Sequence, residues 1–182
     1  MKRQIIEASI CTGAIFLSVA AVATPAITKA DYNAAKDRAA SDYKAARSQC
    51  DNLAGNAKDV CIAEAKAARV RTESEAEAQY KNTASAIAEA HTNEAKADYD
   101  VNKTKCDSQA GNAKDVCVKQ AKATLTTAEA DIKANKKSTE AQADAASDKI
   151  EADYKVAREK CDAYAGAAKD DCIANAKSRY GK

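Results

Sequence analysis

Beyond residue 30 the chain contains no Phe, Trp, Met or Pro, and its only leucines are Leu53 and Leu125. Aromatics make up 4% of the 182 residues and are nearly all tyrosine. So little bulky apolar surface excludes a thick globular core. With no proline after Pro25, the strongest helix breaker is missing. The five glycines are too scattered to form a phosphate-cradling loop. The single histidine, His91, sits in the polar stretch AEAHTNEAK and reads as a solvated helix residue. No acid, base and nucleophile can be assembled into a catalytic group, so neither an enzyme nor a cofactor is expected. Charged residues reach 31% but balance to a net +2 without a basic stripe, which argues against nucleic acid as a partner.

What is present is alanine, with lysine, glutamate and arginine, all strong helix formers. Long helices follow. Disorder is the competing reading, because low hydrophobicity with high charge also describes unfolded chains.

The first residues differ from the rest. Met1, Lys2 and Arg3 make a short basic start, and an apolar run follows from Ile10 to Ala23. This pattern reads as a secretory signal over residues 1–26, cleaved after Ala26, with Ala23 and Ala30 as alternative positions. An uncleaved anchor is the rival, although the run is short for a bilayer span of about 20 residues. Cys11 follows Ile10 inside the apolar run, the wrong setting for a lipid attachment site.

Six cysteines remain after such a cleavage, all in three Cys-x10-Cys cassettes: CDNLAGNAKDVC, CDSQAGNAKDVC and CDAYAGAAKDDC. First cysteines at 50, 106 and 161 make an internal repeat of about 55 residues, with units near 31–82, 83–137 and 138–182. An even cysteine count in an exported chain implies disulfides. Zinc cassettes space cysteines more tightly and add histidine, and redox sites use Cys-x-x-Cys; neither fits.

Each cassette carries one glycine, Gly55, Gly111 or Gly166. A glycine just past a helix is a common left-handed cap. Asn56 and Asn112 follow as expected N-caps, with Asp59 and Asp115 three residues on. One helix stopping and another starting with almost no loop makes an antiparallel hairpin. Cys50 and Cys61 lie symmetrically about that turn, as do Cys106 with Cys117 and Cys161 with Cys172, so each pair is expected to bond locally. Close approach requires small neighbours; Ala46, Ala54, Ala57 and Ala65 are placed for this, as are Ala157, Ala165, Ala168 and Ala176. In the second cassette Asn102 breaks the pattern.

Other residues recur with the cassettes. Tyr43, Tyr99 and Tyr154 each stand seven residues before a first cysteine, two helical turns away on one face. They read as seam fillers, with a platform for an aromatic ligand as the alternative. Lys58-Asp59, Lys114-Asp115 and Lys169-Asp170, with Asp51, Asp107 and Asp162, read as helix-end charge pairs or a weak divalent-cation site.

Between cassettes, the polar clusters KNTAS and NKKST offer Thr83 and Ser138 as N-caps. The expected architecture is all-α: three disulfide-stapled antiparallel hairpins, about six helices of roughly 25 residues, in an up-down array or loose bundle with all three disulfides at one end. The rival is one continuous helix of about 50 residues between cassettes, without breaks near Asn82 and Lys137.

The pattern CDxxAGNAKDVCxxxAKA, after ADYKxAxxKC and an export signal, resembles the TolA-like family of small exported Ala/Lys-rich proteins of Gram-negative bacteria. The likeness covers nearly the whole chain. It implies a periplasmic or secreted helical protein of the cell envelope, and it carries no activity onto particular residues. TolA itself keeps a membrane anchor and a separate C-terminal domain, and neither is visible here. The expected role is a non-enzymatic structural or interaction protein, a hydrophilic spacer or stress protectant. The alternative is a ligand- or divalent-metal-binding module. No membrane span is expected after signal cleavage, and the partner is an unidentified envelope protein or none.

Overall fold

The computed structural model describes residues 26–182; the segment read as an export signal, with Cys11, lies outside them apart from its last residue. The described chain is all-helical. It comprises α1 (Lys29–Gln49), a short 3-10 turn (Cys50–Asn52), α2 (Gly55–Lys81), α3 (Ala84–Cys106), α4 (Gly111–Cys161) and α5 (Ala167–Tyr180).

The caps explain where helices start. Thr28 opens α1: its hydroxyl oxygen accepts the Asp31 N–H at 3.1 Å, and the Asp31 carboxylate accepts the Thr28 N–H at 3.3 Å. Asn82 ends α2 in the left-handed conformation, φ +46°. Thr83 then caps α3 by accepting the Ala86 N–H at 3.1 Å. This is the break expected near Asn82.

The break expected near Lys137 is absent. Helix α4 runs through it as one continuous helix of 51 residues, about 75 Å long. The described residues therefore form five α-helices, not six. Counted back from the following cassette, Lys137 occupies the register position of Asn82, and the left-handed conformation that asparagine tolerates costs most other residues about 1–2 kcal/mol. Ser138, where Thr83 stood, is an interior helix residue whose hydroxyl accepts from Gln142 Nε2 at 3.3 Å.

Continuity of α4 also moves the third disulfide. The first two cassettes lie together at one end of the array, while the third sits at the far end of α4, not beside them. Each helix packs closely only on its neighbours in sequence: α1 on α2, α2 on α3, α3 on α4, and α5 on the end of α4. The array is open, and α1 and α4 are its edges.

The buried seams are built from small residues. Ala39, Ala65, Ala76, Ala86, Ala90 and Ala121 are buried, joined by Val101, Leu125 and Tyr154. Alanine at these points lets backbones approach closely, at the expense of apolar area per contact. From Lys137 to Glu140, and on through Ile150, every residue of α4 is exposed, because α3 has ended and α5 does not reach back so far.

Candidate functional site

The three cassettes are the most distinctive local structure. The disulfides join Cys50 to Cys61, Cys106 to Cys117 and Cys161 to Cys172, with Cα atoms 5.7, 5.7 and 5.6 Å apart. The first cysteine of each pair is fully buried.

The turn inside each cassette differs from the expected two-residue hairpin. The preceding helix ends at the first cysteine, not at the glycine. There the carbonyl oxygens of Cys50, Cys106 and Cys161 accept the N–H of Leu53, Gln109 and Tyr164, each at 3.0 Å. The chain then extends through Ala54 (φ −131°, ψ 161°) or Ala110 (φ −133°, ψ 160°), which are the N-caps of α2 and α4 without any side-chain bond. Gly55 and Gly111 are thus the first residues of the following helices, at φ +55° and +56°, not caps of the preceding ones. Gly166 has φ +57° and ψ −142°, a combination open essentially to glycine alone. A Cβ at any of the three would meet nothing within 4 Å, so the requirement comes from the backbone and not from space.

With the turn longer than expected, Asn56 and Asn112 are not N-caps, and Asp59 and Asp115 fall outside the first helical turn. Asn56 instead reaches a different helix. Its Nδ2 donates to the Thr104 carbonyl oxygen at 2.7 Å, tying the start of α2 to the end of α3. The lengthened turn also leaves Ala54, Ala57, Ala165 and Ala168 exposed and outside the seam. Ala65 and Ala176 do lie in it, buried four residues beyond the second cysteines, with Ala46 and Ala157 half-buried opposite.

The charged residues pair across the staple, not along the sequence. Lys58 reaches Asp51 at 2.9 Å, Lys114 reaches Asp107 at 2.9 Å, and Lys169 reaches Asp162 at 2.7 Å. The lysines beside Asp51 and Asp162 hold those carboxyls below the usual aspartate range, chiefly by hydrogen bonding, with Arg47 adding to the effect at Asp51. Each aspartate thus has an ammonium partner within its own cassette. Among the described residues, no group of three or more His, Cys, Asp or Glu side chains is placed to hold a metal ion.

The three tyrosines are not brought together. Tyr43 lies under the Arg69 guanidinium at 5.7 Å, Tyr99 under Lys122 at 5.6 Å, and Tyr154 under Arg158 at 5.9 Å. Tyr154 also meets Tyr180 with ring centroids 6.3 Å apart. Each ring belongs to its own hairpin and is covered by a local cation. His91 is exposed, with Nδ1 3.4 Å from Glu94 Oε2; the other Glu94 oxygen is buried without a hydrogen-bond partner.

Two features were not anticipated from sequence. Tyr32 and Tyr80 stack at 5.1 Å, interplanar 12°, closing the α1–α2 pair at the end away from its disulfide. An open groove of about 500 Å³ lies between α2 and α3, with Ala63, Ala67, Val70 and Ala97 in its lining and Lys66, Asp100 and Lys103 also around it. Counting outward from the disulfide would have found the first, since Tyr32 and Tyr80 stand nearly equidistant from Cys50 and Cys61. The same count pairs Tyr154 with Tyr180. Compared with known proteins, the chain matches no family model, no curated protein and no solved structure.

Proposed function

We propose that the chain is a non-enzymatic helical spacer of the cell envelope, acting in an exported, oxidising compartment of a TolA-like kind. The observation that carries this reading is α4: one helix of 51 residues with a disulfide-stapled hairpin at each end. Residues 137–150 are bare, so the second and third staples, about 66 Å apart along α4, are joined there by a single helix. Three disulfides favour an oxidising compartment over the cytosol. Among the described residues no helix is long and apolar enough to cross a membrane.

A spacer works through its length, and that is the test. The bare segment of α4 is shortened by two heptads, which keeps the helical phase nearly unchanged. Cells lacking the chain are scored for detergent sensitivity, then complemented with the native or the shortened form. Failure of the shortened form alone supports the spacer. Full rescue by it, or the absence of any envelope defect, overturns the reading. Tight, saturable calorimetric binding of divalent cations or small envelope molecules would instead make the chain a ligand-binding module.

A further inference from the structure

We propose that the chain self-associates through α4, residues 116–134 of one copy packing antiparallel on residues 141–156 of a second copy about a two-fold axis near residue 137. The starting point is a pair of valines. Val60 on α2 is half-buried, and Val101 on α3 is 7% exposed, in one row with the buried Ala90 where α3 meets α2. Their counterparts one cassette later are Val116 and Val156, which are 44% and 54% exposed. The first half of α4 is the counterpart of α2, and the second half that of α3. In α2 and α3 these faces pack on each other, because the chain turns at Asn82. In α4 there is no turn, so within one chain the two faces cannot meet.

The two faces form a single exposed row. It runs from Val116 through Ala123, Ala130, Ala141 and Ala145 to Val156, at spacings that keep one side of a helix. Ala121, Leu125 and Ile132, turned toward α3, and Tyr154 and Cys161, turned toward α5, lie on the opposite side. The row is therefore uncovered by the other described helices for about 60 Å, with Val156 at its end also bordering the groove between α4 and α5, and its alanines permit the close approach seen in the α2–α3 seam.

Charge identifies the occupant. Of the packed segments, residues 116–134 carry three lysines against two acids, a net +1. Residues 141–156 carry four acids against two lysines, a net −2. The helix is thus self-complementary only when a second copy runs antiparallel, which sets each basic half on an acidic half twice over. A parallel pair sets like on like. Such an isologous contact exchanges between two chains the pairing that a broken α4 would make within one, the logic of a domain swap.

Sedimentation velocity on the full chain with its three disulfides intact tests this. The expected result is a concentration-dependent step to dimer mass. The double substitution Ala130→Glu with Ala145→Glu should weaken it by about tenfold or more, since each adds a charge to the packed row. Circular dichroism should be unchanged, because both positions are exposed in the single chain. A chain that stays monomeric at every concentration overturns the proposal. So does a dimer that the double variant forms equally well, which would assign association to another surface. A photo-crosslinker at Val116 reads the orientation: capture near residue 156 of the second copy is expected, and capture near its residue 116 overturns the antiparallel arrangement.

Discussion

The side chain of Asn56 donates to the carbonyl oxygen of Thr104 at 2.7 Å, binding the first cassette to the second. Asn112 stands at the same place in the second cassette, within an identical AGNAKDVC string. The counterpart of Thr104 is Glu159, which lies at the other end of α4. Identical local sequence therefore has different consequences. Asn56→Ala should destabilise the chain by about 1 kcal/mol, the usual value of one such bond, and Asn112→Ala should be close to neutral. Denaturant unfolding of both variants checks this. Equal losses would mean that Asn56 acts within its own turn and not between cassettes.

The third staple should behave unlike the other two. Helix α5 has 14 residues and, among the described helices, touches only the end of α4. A helix of that length is marginal by itself. Closing the short loop between Cys161 and Cys172 restricts the unfolded chain by about 3 kcal/mol in the chain-entropy model. Replacing both cysteines with alanine should therefore free α5 while α1 to α4 hold. Hydrogen exchange should show protection lost over residues 167–180 and kept in the α2–α3 seam. Loss of protection throughout would show that the staple supports the whole array.

The helical class was legible because composition and the absent prolines point one way, and the cysteine pairing because each cassette is symmetric about its turn. The turn itself was not. Counting residues treats Gly55 as the end of one helix, but the carbonyl of Cys50 already closes a turn on Leu53, and the glycine begins the next helix. Glycine at positive φ serves either place, so its presence alone does not choose between them. The partners of Asp51, Asp107 and Asp162 were hidden for a related reason: the chain brings together residues seven apart around the turn, and adjacent Lys-Asp pairs were the more visible pattern.

Those pairs set a dependence on pH. Asp51 and Asp162 have carboxyls held below their ordinary range by Lys58 and Lys169. A folded pKa lower than the unfolded one adds stability that is present above the unfolded value and is lost as pH falls through the folded value. The unfolded value is about 3.9, so the thermal midpoint should be flat near neutrality and fall below about pH 4. Both groups are exposed, which keeps the effect small and salt-sensitive. The double variant Lys58→Met with Lys169→Met should flatten that acid fall relative to the native chain. Parallel midpoint curves for the two proteins would show that the pairs contribute nothing.

The contrast between Asn82 and Lys137 decides the shape of the molecule. Asn82 turns the chain at φ +46°, and Thr83 restarts it; 55 residues on, Lys137 and Ser138 keep α4 straight. Ser138 retains a hydroxyl suited to capping, so the missing element is the residue that enters the left-handed region. Lys137→Asn should lower the cost of a break there by about 1–2 kcal/mol, and Lys137→Gly should lower it further, since glycine is also the poorer residue inside a helix. A break lets the second half of α4 fold back on the first, as α3 does on α2. Small-angle scattering should then show a smaller radius of gyration with the disulfides unchanged. The reverse change, Asn82→Lys, should strain the α2–α3 corner and cost a similar amount, about 1–2 kcal/mol, in denaturant unfolding. If scattering is the same for all of these chains, one residue does not set the continuity of α4, and the register comparison fails as its explanation.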